Sequence, residues 1–365
     1  MAFSAGNFSA SDLHSEVLAK IDTLVVDTTQ KHYIVETAIL DELYPNPVFL
    51  AQTPEQVAFF SDAKRCADLK LSYLLDGDAV APVPAGTNDF CDPDGVEIGS
   101  DSVTYVKPTG KEKAFKVLTD VCKSQHDFAS KVAHGFMSKR AILVRQMEKD
   151  AISYVATGAD TLTGVTVPTG GVTNALWNIG AVAPGTESER VKDLIHINHF
   201  AGDQRMINPV ILGGNRFRFE EAEFAATAGG GVADHRSLLT GNTKIIRDTF
   251  NLDTIAGDQD LFLVDKTSLG YVNYTWAQTT TPEDSPMRLN HPIQFYMNDP
   301  FIKVWDPVSR SVVPYKWDIN MVWKCVANNQ FAVVYTIIGR GGFLRTPKDH
   351  TAKPQIVQVR FADNA

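Results

Sequence analysis

The chain has 365 residues, with 34 lysines and arginines against 43 aspartates and glutamates, a formal net charge of −9. That length allows two or three domains, or one elaborated domain, and a large core; 44% hydrophobic and 21% charged residues are ordinary for a water-soluble globular protein. The acidic balance and the lack of a lysine- or arginine-rich run exclude a dedicated nucleic-acid binder, which needs clustered cations for phosphates, while leaving room for a protein that merely stands near nucleic acid.

Cys66, Cys91, Cys122 and Cys325 form no CxxC pair, so neither a zinc ribbon nor a thioredoxin-type site is expected, and the thiols read as reduced. Residues 1–30 lack a basic start followed by an apolar core, and no apolar run approaches 18 residues. A cytoplasm-like site of synthesis, with no membrane association, is therefore expected.

In chain order, residues 1–46 carry two weakly amphipathic helical segments, over 11–22 and 34–43, closed by Pro45 and Pro47. With few large apolar residues, this segment reads as an arm lying on another surface. Thr53-Pro54-Glu55-Gln56 combines a cap, proline at the first helical position and a capping-box partner, which predicts a helix over 54–74. From Gly77 to Gly110 glycine, proline and aspartate dominate, with short alternating runs such as Ser102–Val106. A loop this long is usually functional or extended onto a neighbour. It returns through Lys107–Lys113 to a strand at Ala114–Leu118.

The stretch Ser124–Val155 has no proline and one glycine. Phe128, Val132, Phe136, Leu143, Met147, Ala151 and Val155 recur at helical spacing with one gap at Arg140. With a start at Ser124 and Asp127 and a stop at Thr157-Gly158, the helix is expected over 124–157, and its stretch Ser124–Val155 alone is about 48 Å long. After a turn-rich connection, 186–275 alternates helix and strand: a helix from Thr186 to Phe200, a buried strand at Asn208–Gly214, a helix at Asn215–Ala226, a glycine loop at 229–231, and strands at Thr243–Arg247 and Asp260–Val264. In the last third, Trp317, Ile319, Met321, Trp323 and Cys325 alternate with more polar residues. A turn at Asn328-Asn329-Gln330 leads to a partner strand at Phe331–Ile338, and this hairpin needs the long helix to cover it.

The chemistry-bearing patterns are sparse. His196, His199 and Asp203 could place metal ligands on one side of a helix, but a third ligand at firm spacing is lacking. Asp89, Asp92, Asp94, Glu97 and Asp101 cluster in the long loop without the full spacing of a calcium loop. Cys122 and His126 would share a helical face without an orienting carboxylate. Gly339-Arg-Gly-Gly342 follows a strand but leads into no helix, so it lacks the helix N-terminus of a phosphate site. Without GxxxxGK[ST], GxSxG or HExxH, no catalytic, cofactor-binding or metal residues and no cofactor are expected.

The order of elements nonetheless carries information. VTYVKPTGKEKAFKVLTDV running into SQHDFASKVAHGFMSKRAILVRQMEKDAISYV, then TGADTLTG, RVKDLIHINHF, MINPVILGGNRFRFEEAEF and DLFLVDKTSLGYVNYTW, resembles the major capsid proteins of tailed bacteriophages, whose fold is shared with encapsulins and the floor of the herpesvirus shell. The resemblance covers about residues 100–275. It implies an α+β fold with an N-terminal arm at 1–46, an extended E-loop region at 47–115, a peripheral domain at 116–185 and 290–365 with its spine helix and β-sheet, and an inserted axial α/β domain at 186–289. It also implies a structural, non-enzymatic subunit of an icosahedral shell, forming pentamers and hexamers. Scaffolding, portal and decoration proteins, and packaged double-stranded DNA nearby without sequence-specific binding, are the implied partners. The implied localisation is the virion, after assembly in the host bacterial cytoplasm.

Two features depart from the family pattern: the helix at 54–74, and the lack of a long charged coiled coil at the N-terminus. Some relatives crosslink an E-loop lysine to a neighbour's asparagine, for which Lys107, Lys111 and Lys113 against Asn328 or Asn329 are the positions to test. The alternatives are an encapsulin-like nanocompartment shell and a cytosolic α/β metal-dependent enzyme using His196, His199 and Asp203.

Overall fold

A computed structural model describes residues 9–26, 33, 35, 37–61, 68–74, 100–118, 127–162, 165–168, 171–173, 176–179, 196–204, 206–217, 243–247, 249–257, 260–282, 288–326, 330–347 and 353–361. The fold is mixed α+β and is built along one helix of 30 residues, Phe128–Thr157, which is α4 after α1 (Ala10–Val26), α2 (Leu40–Leu43) and α3 (Pro54–Ser61). At 1.5 Å per residue α4 is about 45 Å long. It begins four residues after Ser124, a position outside the described residues, because Asp127 is the cap. The Asp127 backbone is extended, and its carboxylate accepts the Ser130 N–H at 2.6 Å. That bond also holds the Asp127 carboxyl below its ordinary pKa. The helix ends where Gly158 N–H closes onto the Tyr154 carbonyl at 3.0 Å.

All seven apolar residues of the α4 stripe are buried. They meet a four-stranded antiparallel sheet in the order β10 (Pro292–Asp306), β11 (Ser311–Val326), β12 (Gln330–Gly339), β3 (Lys111–Leu118). Register sets Phe295 opposite Ile319, Met321 opposite Tyr335, and Tyr335 opposite Phe115, so these side chains share the helix-facing side. Phe115 approaches α4 at Gly135, where an added Cβ would lie 2.5 Å from its ring. The glycine inside the helix is thus a close-packing position.

The gap in the stripe is filled by charge. Arg140 is 1% exposed, and its Nε and Nη2 donate to Asp299 at 2.6 and 2.8 Å. Asp299 also accepts from Trp317 Nε1 at 2.7 Å and from the Phe301 and Ile302 N–H groups at 2.8 Å each. The β10–β11 register slips between Asn298 and Lys303, at this point, so the carboxylate is held inside a bulge.

A second, six-stranded sheet runs β4 (Gly171–Thr173), β5 (Leu176–Ile179), β14 (Ile356–Phe361), β8 (Asp260–Asp265), β6 (Pro209–Gly213), β7 (Lys244–Arg247). The run DLFLVD of β8 is buried on both sides. Phe262 and Val264 join the core with α4, whereas Leu261 and Leu263 join a separate core with Trp177, Val357 and the helix α5 at 196–203, through Ile197 and Phe200. Helix α6 (Thr249–Ile255) lies against α4, and β13 (Gly341–Arg345) pairs with β9 (Leu269–Asn273). Strands from 171–179 and 356–361 thus belong to the same sheet as the 209–265 strands, across the boundaries drawn at 186 and 290.

Two expected helices are shorter than the sequence pattern indicates. Of the described residues in the segment 34–43, Leu40–Leu43 are helical. The capping box at Thr53 forms as expected, with Gln56 Nα donating to Thr53 Oγ1 at 3.3 Å and Gln56 Oε1 accepting the Thr53 N–H at 3.1 Å. The described helix is Pro54–Ser61, however, residues 62–67 lie outside the described residues, and Leu69–Leu74 is a strand, β1, paired along its whole length with β2 (Ser100–Tyr105). LKLSYL alternates with period two, and pairing with a distant segment decides it. Of the helix at 215–226, residues 215–217 are helical and the rest lie outside the described residues, as do the loop at 229–231 and the helix start at Thr186.

Arg140→Met should destabilise the protein by about 3–5 kcal/mol, since Asp299 would remain buried without its cation. Adding Asp299→Asn should recover part of that loss. Urea denaturation of both variants measures each step.

Candidate assembly elements

Among the described residues, those that could have formed an enzyme site do not converge. His196 and His199 have ring centroids 6.4 Å apart at the surface of α5, and no three His, Cys, Asp or Glu side chains among the described residues gather closely enough to hold a metal ion. Cys122, His126, Asp89, Asp92, Asp94 and Glu97 lie outside the described residues. The glycines of 339–342 serve a backbone crossing. Gly341 has φ +147°, and a Cβ there would sit 2.1 Å from the Val272 carbonyl; a Cβ on Gly110 would sit 2.1 Å from the Gly339 carbonyl. Arg340 between them donates to the buried Asp318 at 2.8 Å and lies 3.8 Å from the Trp276 ring centroid.

A cavity of about 340 Å³ opens beside this crossing, lined by Tyr44, Tyr154, Tyr271, Trp317 and Phe343, with Lys111 and Asp150 also in its wall. Lys111 and Asp150 pair with each other at 2.6 Å, and burial pushes the Tyr271 hydroxyl up to about 12. Tyrosines that stay protonated at neutral pH, beside a carboxylate already engaged, offer no nucleophile with a free base.

What the structure does build is an arm. Leu13, Val17 and Ile21 of α1 enter the core with α4, and His14 meets Phe295 edge-on at 4.7 Å. Beyond α1 the chain stays in the same core through Ile39, Leu40, Leu43 and Tyr44, and polar contacts fix its path. Glu148 of α4, 1% exposed, accepts the N–H groups of Ala38 (3.0 Å), Ile39 (2.8 Å) and Leu40 (3.1 Å) at the start of α2. Glu42 of α2 pairs with Lys266 at 3.1 Å and with Lys244. The Tyr44 carbonyl accepts the Trp305 N–H at 2.8 Å while its ring stacks on Tyr271 at 3.8 Å. Asn46 Nδ2 donates to the Leu269 carbonyl at 3.1 Å, Trp305 Nε1 donates to the Phe49 carbonyl at 2.9 Å, and Ala51 N–H donates to the Pro307 carbonyl at 3.1 Å.

The arm leads into a satellite core of Phe49, Ala51, Phe59, Phe60, Leu69, Tyr105, Val272, Tyr274 and Leu344. The two-stranded sheet β1–β2 stands on this cluster at its base, Leu69 and Tyr105, which face each other across the pair. Further along, Lys70, Ser72, Asp101, Ser102 and Thr104 are exposed. Of the lysines singled out for crosslinking, Lys107 lies over the Tyr274 ring at 4.5 Å, Lys111 pairs with Asp150, and Lys113 is exposed on the edge strand β3; Asn328 and Asn329 lie outside the described residues.

No known family profile matches the sequence, and no curated protein matches it. Among solved structures, the chain is similar to the capsid of the cyanophage P-SCSP1u (TM-score 0.47, 10% identity, 90% of each chain covered). It is also similar to a structure from Mycobacterium phage Adephagia (TM-score 0.44, 9% identity, 94% of this chain and 96% of that one). A third is a virus-like particle from Pyrococcus furiosus (TM-score 0.42, 11% identity, 95% and 98% covered).

Glu148→Gln should loosen the arm locally, because an amide offers one acceptor oxygen and turns a donor toward the third N–H, a cost of about 1–3 kcal/mol. Hydrogen exchange should quicken at Ala38–Leu40 and stay unchanged in α4. Burial lowers the His14 pKa below 6.5, against a weaker opposing bond to the Thr280 backbone. The folded chain therefore binds fewer protons there than the unfolded one. The contribution of His14 is complete above pH 6.5 and falls as the pH drops below it, levelling once the pH passes the folded value. Urea midpoints across pH 5–8 should show this slope in the native chain and a flatter one in His14→Leu.

Proposed function

We propose that the chain is the structural major capsid protein of a tailed double-stranded DNA bacteriophage, a shell subunit that assembles with copies of itself into the pentamers and hexamers of an icosahedral shell. In this reading residues 1–46 are the N-arm, 47–115 the extended loop, 116–185 and 290–365 the peripheral domain on its spine helix α4, and 186–289 the axial domain, which borrows the strands at 171–179 and 356–361. Scaffolding, portal and decoration proteins are the further partners, the genome is packaged without sequence-specific contacts, and the site of the mature protein is the virion.

The observation that carries the reading is the β1–β2 ribbon. Each of its strands has one partner among the described residues, and most side chains beyond its base are exposed. Two strands alone are marginal in water, and unpaired edges invite pairing with another chain. An enzyme of this size gains nothing from such a projection. A shell subunit does, because an arm and ribbon laid over neighbours bury obligate-sized interfaces of at least ~2,000 Å². The arm has no core of its own and instead joins the core of the body through Leu13, Val17, Ile21, Ile39, Leu40, Leu43 and Tyr44.

Electron microscopy of the purified protein tests this. Closed symmetric shells or rings of five and six copies are expected, with DNA rather than cargo protein inside particles from infected cells; a chain that stays monomeric under all assembly conditions overturns it. Val106, at the base of the ribbon, is 66% exposed. Val106→Asp should leave the unfolding midpoint of the subunit unchanged and cut assembly yield by about tenfold, equivalent to about 1.4 kcal/mol per subunit contact.

A further inference from the structure

The buried face of α4 carries Arg140 and Glu148, both satisfied inside the protein. The opposite face carries Lys131, Lys139, Arg145 and Lys149, all partly or fully exposed, around the exposed Ile142. None of the four has an acidic side chain within ion-pair distance among the described residues. The partly exposed acid of the helix, Asp150, is already engaged by Lys111. At about 100° and 1.5 Å per residue, the four cations fall within an arc of about 120° and are spaced along the axis by about 12, 9 and 6 Å, a band about 27 Å long.

An uncompensated basic line in a chain of net charge −9 is a local feature that composition hides. Its composition decides between partners. Protein interfaces are built on an apolar or aromatic centre and are depleted in lysine. This face has three lysines, an arginine and one exposed apolar residue, which is the make-up of a nucleic-acid contact. Lysine suits phosphates that need neutralising without fixed geometry, because its ammonium is a point charge on a flexible stem. A rigid band about 27 Å long matches a linear polyanion that presents a phosphate every 3.4 Å of axis on each strand.

We propose that this face of α4 is a contact surface for the phosphate backbone of double-stranded DNA. The inference rests on the shell reading for its biological setting, where the face would be turned toward the packaged genome. Four weak, sequence-independent contacts per subunit would order the outer layer of DNA without gripping it.

The test is a fluorescence-anisotropy titration of the full-length unassembled subunit with a 40-base-pair DNA duplex from 50 to 300 mM NaCl. Two triple variants with the same charge change are compared: Lys131→Gln, Arg145→Gln and Lys149→Gln on the face, and Lys70→Gln, Lys116→Gln and Lys324→Gln at exposed sites elsewhere. Each lost phosphate contact removes about 0.9 from the slope of log K against log salt, so the first triple should be shallower by about 2.7 and the second unchanged. Equal slopes in both triples, or no binding by the native subunit at 50 mM NaCl, overturn the proposal. So does unchanged DNA binding with a shifted self-association in sedimentation, which would make the face a contact between copies. Electron microscopy of the same preparations separates the two readings: native shells with an unchanged slope sink this inference alone, while a chain that forms no shell sinks the shell reading and leaves the slope to decide the face.

Discussion

Arg140 can sit 1% exposed in the middle of the core only because Asp299 meets it with two oxygens and is itself saturated by Trp317 Nε1 and two backbone N–H groups. A lone buried guanidinium would cost several kcal/mol, so the pair fixes where the β10 bulge must lie along α4. Once the bulge is pinned, the register of β10 on β11 is set on both sides of it. The sheet can then present Phe295, Ile319, Met321 and Tyr335 to the helix and no other set, because a slip of one residue would turn each of them outward. The ion pair adds little net stability over a well-packed apolar substitute. Its contribution is to make the alternatives expensive.

Glu148 repeats the arrangement two turns further along, with a different partner. Its carboxylate takes three N–H groups at the head of α2, donors that a four-residue helix leaves without internal partners. Apolar contacts alone would let the arm slide over a smooth helix surface, since hydrophobic burial is non-directional. Three converging hydrogen bonds to a buried charge do not slide. One helix therefore indexes both the sheet and the arm, each through a charge that its apolar periodicity leaves unexplained.

Those charges are also where sequence reading stops. The α4 stripe, the alternation in β11, the buried run of β6 and the capping box at Thr53 are local patterns, and each produces the element its period demands. Arg140 reads only as a gap and Glu148 as a polar residue, because their partners lie 159 and about 110 positions away. The same non-locality hides β1, whose LKLSYL becomes a strand through Ser100–Tyr105, and β10, whose 15 residues are interrupted by Asp299-Pro300. It also hides the strand at 356–361, which joins β8 from the far end of the chain. His196 and His199 were legible as a spacing, yet a spacing carries no third ligand. The basic line on α4 was visible residue by residue; that its cations lack acidic partners among the described residues required the fold.

The free edges of the structure differ in how they meet water. β3, at the edge of the four-stranded sheet, carries Lys111, Lys113 and Lys116, an arrangement that discourages pairing with a further strand. The β1–β2 ribbon has no comparable guard on β2, where Ser100–Tyr105 holds one charge, Asp101, and is followed by the exposed Val106. A chain selected to remain a monomer would blunt both edges alike. Guarding β3 with lysines while β2 has neither a second charge nor a further strand partner among the described residues is the asymmetry that the proposed shell subunit would need, its extension being covered by neighbours.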